Sequence, residues 1–247
     1  MDPSHLTGDG AAKRSLQQGI TGAIAFHNQL ASTWETNYRT KAFLSRVEAI
    51  EGALRGRDLH GELWLDAGCG SGTLARWLVG RGAKVVGVDG APEMVRLALA
   101  TAKIQNDESS LQFQVANVGA MPFSDGSFEG VLCSSVLEYA EDPASYLKEI
   151  ARVTKPNGTL LISTPNAGSV VRLGLRVVFQ LTRLIGKPRP QYMAYSQHQY
   201  SKAQLSALLR RHGYEPDYMV AFGSGMPAWL RDRSWFGRLL LVRAARR

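Results

Sequence analysis

A chain of 247 residues, 45% apolar and 20% charged, has the make-up of a soluble globular protein and is long enough for one domain with an N-terminal extension. No apolar run reaches the ~18 residues of a spanning helix, and polar Met1–Gly10 lacks the apolar core of a signal peptide. The formal charge of +8 permits contact with an anionic surface but equally describes a solvated basic face. Without an aromatic-interleaved basic motif, nucleic acid is not an expected partner.

The first 19 residues are polar and glycine-containing and are expected to be mobile. Helical patterning runs from Ile20 to Leu54, with Phe26, Leu30, Trp34, Tyr38, Phe43, Val47 and Ile50 three to five residues apart. Strands are expected at Glu62–Ala67, Lys84–Val88, Leu111–Val115, Phe128–Ser134 and Thr159–Thr164. Helices are expected at Thr73–Gly80, Pro92–Ile104 and Pro143–Val153, the last capped by Asp142. Lys155-Pro156-Asn157-Gly158 reads as a turn. This alternation predicts a doubly wound α/β parallel sheet, whose ligands sit beyond the carboxyl ends of the strands. Further on come the apolar, arginine-dotted segment Ser169–Ile185, a helix Ser201–His212, and a last strand pair, Tyr214–Phe222 and Arg238–Val242. Cys69 and Cys133 lie at strand ends without metal-ligand spacing. They read as reduced thiols of a cytoplasmic protein, and no metal is expected.

The most informative stretch is Leu65-Asp66-Ala67-Gly68-Cys69-Gly70-Ser71-Gly72-Thr73. Its glycines allow a sharp turn and close approach by a ligand to the backbone, and the following helix points its amides at that turn. The spacing is Gly-x-Gly-x-Gly, and Thr73 stands where a dinucleotide fingerprint has its third glycine. Asp66 would repel a pyrophosphate but can pair with an ammonium group. S-adenosylmethionine, with an amino-acid end and a sulfonium, therefore fits better than NAD; a bare structural turn is the other reading.

Asp89 ends the second strand, where a carboxylate can accept hydrogen bonds from both ribose hydroxyls, or simply cap the helix from Pro92. Met94 is placed either on the adenine face or in the core. Asn117 can accept from an adenine amino group, and Val118 offers a backbone amide to a ring nitrogen.

Four motifs in order, Leu65–Gly72, Val86–Asp89, Met121–Phe123 and Lys155–Gly158, resemble class I S-adenosylmethionine-dependent methyltransferases. Within that class Leu30–Trp34, Cys133–Pro143 and Ile162–Asn166 resemble the ubiquinone-pathway 3-O-methyltransferases. The resemblance implies a doubly wound, seven-stranded Rossmann-like sheet with helices on both faces. It also implies a helical lid over 20–60 and a methyltransferase domain over 61–247 with a helical insertion near 168–195. The implied cofactor is S-adenosylmethionine, held by Asp66, Gly68, Gly70, Asp89, Gly90, Met94, Asn117, Val118 and Ser134. Arg46, 12 residues beyond Trp34, matches a cofactor-contacting arginine of that group; a solvent-facing helix arginine is the alternative. Eukaryotic members carry Glu, Glu and His as a magnesium site where this chain has Ser135, Glu138 and Tyr139, which leaves too few ligands for magnesium.

Methyl transfer from a sulfonium needs mainly alignment and exclusion of water, and a base where the acceptor is a hydroxyl. His198 is the first candidate base and Glu138 the second; the alternatives are a surface histidine and a capping carboxylate. Tyr139, Tyr195 and Tyr200 are candidates to line the acceptor pocket. Segment 169–185 reads either as a lid or as a membrane-interface helix for a lipid-linked acceptor. The expected activity is O-methylation of a small or lipid-linked molecule by a cytoplasmic protein, with peripheral membrane contact where the lipid reading holds. N- or C-methylation, a non-catalytic protein of the same fold, and a nicotinamide enzyme are the rivals.

Overall fold

A computed structural model describes residues 22–31, 40–105, 109–187, 189–223 and 235–247. The 1–19 stretch expected to be mobile, Trp34 and Tyr38 lie outside the described residues. A helix over 22–31 (α1) and a second, α2 (Lys41–Ala53), precede the alternating region. There β1 (Leu63–Ala67), α3 (Thr73–Val79), β2 (Lys84–Asp89), α4 (Pro92–Gln105), β3 (Leu111–Val115), β4 (Phe128–Ser134), α5 (Pro143–Val153) and β5 (Thr154–Pro165) follow in order. Then come α6 (Val170–Leu184), α7 (Lys202–Arg211), β6 (Tyr214–Phe222) and β7 (Leu239–Arg246).

The seven strands form one sheet in the order β3-β2-β1-β4-β5-β7-β6. From β3 to β5 every pairing is parallel. The parallel pattern ends there, because β7 runs antiparallel to both β5 and β6. The order reverses between β1 and β4, which opens a crevice above their carboxyl ends.

Strand periodicity divides the core between the two faces of the sheet. Leu65, Val131, Leu160 and Leu240 pack on one side with Leu147 and Ile150 of α5 and Leu205 and Leu209 of α7. Their neighbours Trp64, Leu132, Leu161 and Leu241 pack on the other with Ile50 and Leu54, Leu74 and Leu78, and Val95 and Ala98. Helix starts follow local chemistry. Asp142 accepts from Ala144 N ahead of a proline in the first turn of α5, and Ser201 forms a reciprocal capping box with Gln204 on α7.

Several ends shift by one residue, and two stretches differ more from expectation. The Lys155–Gly158 turn is a kink inside β5, with Asn157 at φ 62°, matched by a register shift opposite Phe128 and Gly130. The last strand begins at Leu239, not Arg238, and continues to Arg246 instead of stopping at Val242, because it pairs along its length with β6.

Candidate active site

The glycine turn hangs on the end of β2. Gly68 and Cys69 both donate to Val88 O, at 2.7 and 2.9 Å. Gly70 N donates to Asp89 Oδ2 at 2.8 Å, and Ala91 N donates to Asp89 Oδ1 at 2.8 Å. Asp89 therefore ties the turn to the approach of α4. Gly68 and Gly72 sit at φ 81° and 77°, a region only glycine enters freely. A Cβ on Gly68 would lie 2.2 Å from Val136 Cγ2, and one on Gly72 2.3 Å from Phe113 Cζ. Val136 and Phe113 thus fill the Cβ side of these two glycines.

Asp66, at the end of β1, is 1% exposed. Burial, reinforced by the charge of Asp89, pushes its carboxyl up to about 7. Asp89 is also raised by burial, against the pull of the Ala91 and Gly70 amides and of His27. Two carboxylates share this crevice. Besides Arg57 Nε, the described residues hold four side-chain atoms buried without a hydrogen-bond partner: Asp66 Oδ2, Ser135 Oγ, Glu138 Oε2 and Thr164 Oγ1. All four lie at the carboxyl ends of β1, β4 and β5, three adjacent strands. A buried polar group without a partner costs on the order of 1–3 kcal/mol, so such a cluster marks where a ligand completes the structure.

Beyond β4 the chain makes a short 3-10 turn, Leu137–Tyr139. Glu138 there is 4% exposed; burial pushes its carboxyl up to about 7, opposed in part by the charges of Arg46 and Arg172. Gln197 N and His198 N both donate to Glu138 O, at 2.8 and 3.3 Å, and His198 Nε2 lies 3.0 Å from Ala140 O. A carbonyl only accepts, so Nε2 is the donor in this contact. The surface-histidine alternative is set aside: His198 is half-buried and anchored beside Glu138.

Arg46 on α2 donates from Nη1 to Ser134 Oγ, and Ser134 shares a hydrogen bond with Ser163 at 3.1 Å. The solvent-facing alternative for Arg46 is overturned, because its guanidinium also packs over Phe222. Met94 is 1% exposed and packs with Ala31, Ala91 and Ile24, which is the core alternative. Val118 is buried. Asn117 is exposed, and its side-chain oxygen already accepts from Gly119 N at 2.9 Å.

Helix α1 lies along the crevice. Ile24 faces Gly90, 3.3 Å from the place of a Cβ there. His27 meets Tyr139 edge-on at 5.1 Å and Phe26 meets Tyr195 at 5.0 Å. Sequence reading missed Ile24, His27 and Arg172. The first two lay in a helix whose partner surface no periodicity reveals; Arg172 was one of three arginines in an apolar run. Among the described residues no three His, Cys, Asp or Glu side chains gather as a metal site.

Residues 65–162 match a family described as "Methyltransferase domain". A "Ubiquinone biosynthesis O-methyltransferase" of Xanthomonas oryzae is 38% identical over 112 residues, covering 44% of this chain and 45% of the relative. One of the same name from Xanthomonas euvesicatoria is 32% identical over 162 residues, 64% of each chain. The chain thus spans between about half and two thirds of the length of these relatives, at 45% and 64%. A solved S-adenosylmethionine-dependent methyltransferase from Thermotoga maritima superposes with a TM-score of 0.64 at 18% identity, covering 89% of this chain and 98% of that one. One from Mesorhizobium loti gives 0.60 at 22% identity, covering 80% and 98%. Both likenesses concern the fold.

Proposed function

From the premise that residues 65–162 are a class I S-adenosylmethionine-dependent methyltransferase domain, we propose that the protein methylates a hydroxyl oxygen of a small or lipid-linked acceptor. The observation that carries this reading is the set of unpartnered buried atoms Asp66 Oδ2, Ser135 Oγ, Glu138 Oε2 and Thr164 Oγ1. Asp66 and Asp89 make an acidic crevice that an ammonium group neutralises, while a diphosphate would be repelled by it. The residues therefore fit S-adenosylmethionine, which supplies an electrophilic methyl group when bound.

In this reading Asp66 and the glycine turn hold the amino-acid end. Asp89 keeps one lone pair on each oxygen for the ribose hydroxyls while its other contacts stay in place. Arg46 and Ser134, bonded to each other, would line the cofactor after β4. Met94, Val118 and Asn117 shape the adenine side, Met94 and Val118 through packing and backbone. Glu138 takes the acceptor proton: a carboxyl held near 7, with the Ser135 hydroxyl beside it, is matched to proton transfer at neutral pH. His198, bound to Ala140 O, is the second candidate and fixes the Glu138 segment from behind. The relatives' name favours oxygen as the atom methylated.

A stripe along α6 supports the lipid-linked form of the acceptor. Leu173, Val177, Leu181 and Leu184 are 53% to 83% exposed and recur every three or four residues, one face of a helix. Among the described residues no helix is long and apolar enough to cross a membrane, so such contact would be peripheral.

The test is incubation with methyl-labelled S-adenosylmethionine and fractionated cell extract, followed by mass analysis of the labelled product. A methyl ether is expected, and Glu138→Gln should slow its formation about 100-fold or more. Label on nitrogen or carbon would overturn O-methylation, and no labelled product in any fraction would favour a binding protein.

A further inference from the structure

Arg172 sits in the first turn of α6, where its backbone N donates to Ser169 Oγ at 3.2 Å. The residue is 5% exposed. Its Nε donates to Gln199 Oε1 at 3.2 Å and its Nη2 to Ser196 Oγ at 3.0 Å. Both partners are neutral, and among the described residues no carboxylate lies within ion-pair distance and Nη1 makes no hydrogen bond, Glu138 acting only from farther away. A buried guanidinium without a counter-ion is destabilising, and burial indeed works against its charge. The charge reaches the active crevice, since Arg172 acts on the buried Glu138 and on Tyr139 and Tyr192. The positive end of a 15-residue helix adds to it.

We infer that Arg172 is the receptor for a carboxylate carried by the acceptor, so that the molecule methylated is a hydroxy acid whose hydroxyl is turned toward Glu138. This rests on the methyl-transfer reading for the role of Glu138 alone. The free Nη1 and the shared Nη2 edge offer the planar fork that suits a carboxylate. Gln199 and Ser196 hold the fork in place, which keeps the ordering cost low when the acid arrives. With the acid bound, the guanidinium gains a counter-ion at ion-pair distance.

Calorimetric titrations of benzoate, salicylate and 3,4-dihydroxybenzoate, each against benzamide or catechol as the neutral counterpart, test this with and without saturating S-adenosylhomocysteine. At least one acid should bind the parent about tenfold or more tighter than its neutral counterpart. Arg172→Gln should erase that preference and Arg172→Lys should keep part of it. S-adenosylhomocysteine affinity should stay within about twofold in both variants, and the melting temperature of the ligand-free chain should be unchanged or higher in Arg172→Gln. Equal binding of acid and neutral probes by the parent, an unchanged preference in Arg172→Gln, or inorganic phosphate competing as well as the acids would overturn the proposal. Acid preference without any S-adenosylhomocysteine binding would keep Arg172 as a carboxylate receptor and overturn methyl transfer instead.

Discussion

Gly70 N donates to Asp89 Oδ2 at 2.8 Å, joining the turn after β1 to the last residue of β2. The other oxygen of the same carboxylate receives Ala91 N, so one side chain orders both loops that floor the crevice. Asp89→Ala removes both bonds and should lower stability by about 1–3 kcal/mol and abolish measurable S-adenosylhomocysteine binding. Urea unfolding and calorimetry read the two effects separately. Loss of binding with no loss of stability would mean that the bonds to Gly70 and Ala91 contribute little.

Gly68 is held at φ 81° with Val136 where a side chain would go. Gly68→Ala should cost about 1–3 kcal/mol through backbone strain and overlap together. Adding Val136→Ala should recover the overlap part and leave the strain. A double-mutant cycle measured by chemical denaturation checks this; strict additivity would mean that the two residues do not meet.

Asp66 and Glu138 hold their protons to about pH 7 in the fold, against ordinary values of 3.8 and 4.5. Between roughly pH 5 and 7 the folded chain therefore binds more protons than the unfolded one. Stability of the ligand-free protein should fall as pH rises through that window and flatten above it. Thermal melts across pH 5 to 8 should show the decline, and Asp66→Asn should reduce its slope. A rise in stability over the same window would contradict the raised, buried carboxyls.

The apolar stripe of α6 gives a further expectation. The parent should float with liposomes containing anionic lipid, and Leu181→Glu combined with Leu184→Glu should not, with activity on a soluble acceptor retained. Flotation that survives the double change would remove α6 as the contact.

Much of the fold was legible in the sequence because strand and helix periods are local. Leu111–Val115 and Phe128–Ser134 came out with their true ends, and Asp142 and Ser201 announced their helices. What could not be read was set by distant partners. The antiparallel β7 extends to Arg246 because β6 lies beside it. Arg46 turns inward because Ser134 waits 88 positions away. At the site, the glycines and the two aspartates were visible as a motif. The role of Val136 against Gly68, the His27–Tyr139 contact and the unpaired charge of Arg172 arise only when α1, β4 and α6 come together.

The most direct measurement is a titration with S-adenosylhomocysteine, adenosine and NADH of the parent and of Asp66→Asn. The account predicts micromolar binding of S-adenosylhomocysteine by the parent and a loss of about tenfold or more in the variant, roughly 1.4 kcal/mol or more. Adenosine, which lacks the ammonium group, should bind both alike, and NADH should bind neither. An equal affinity of both proteins for S-adenosylhomocysteine, or NADH bound in its place, would contradict it.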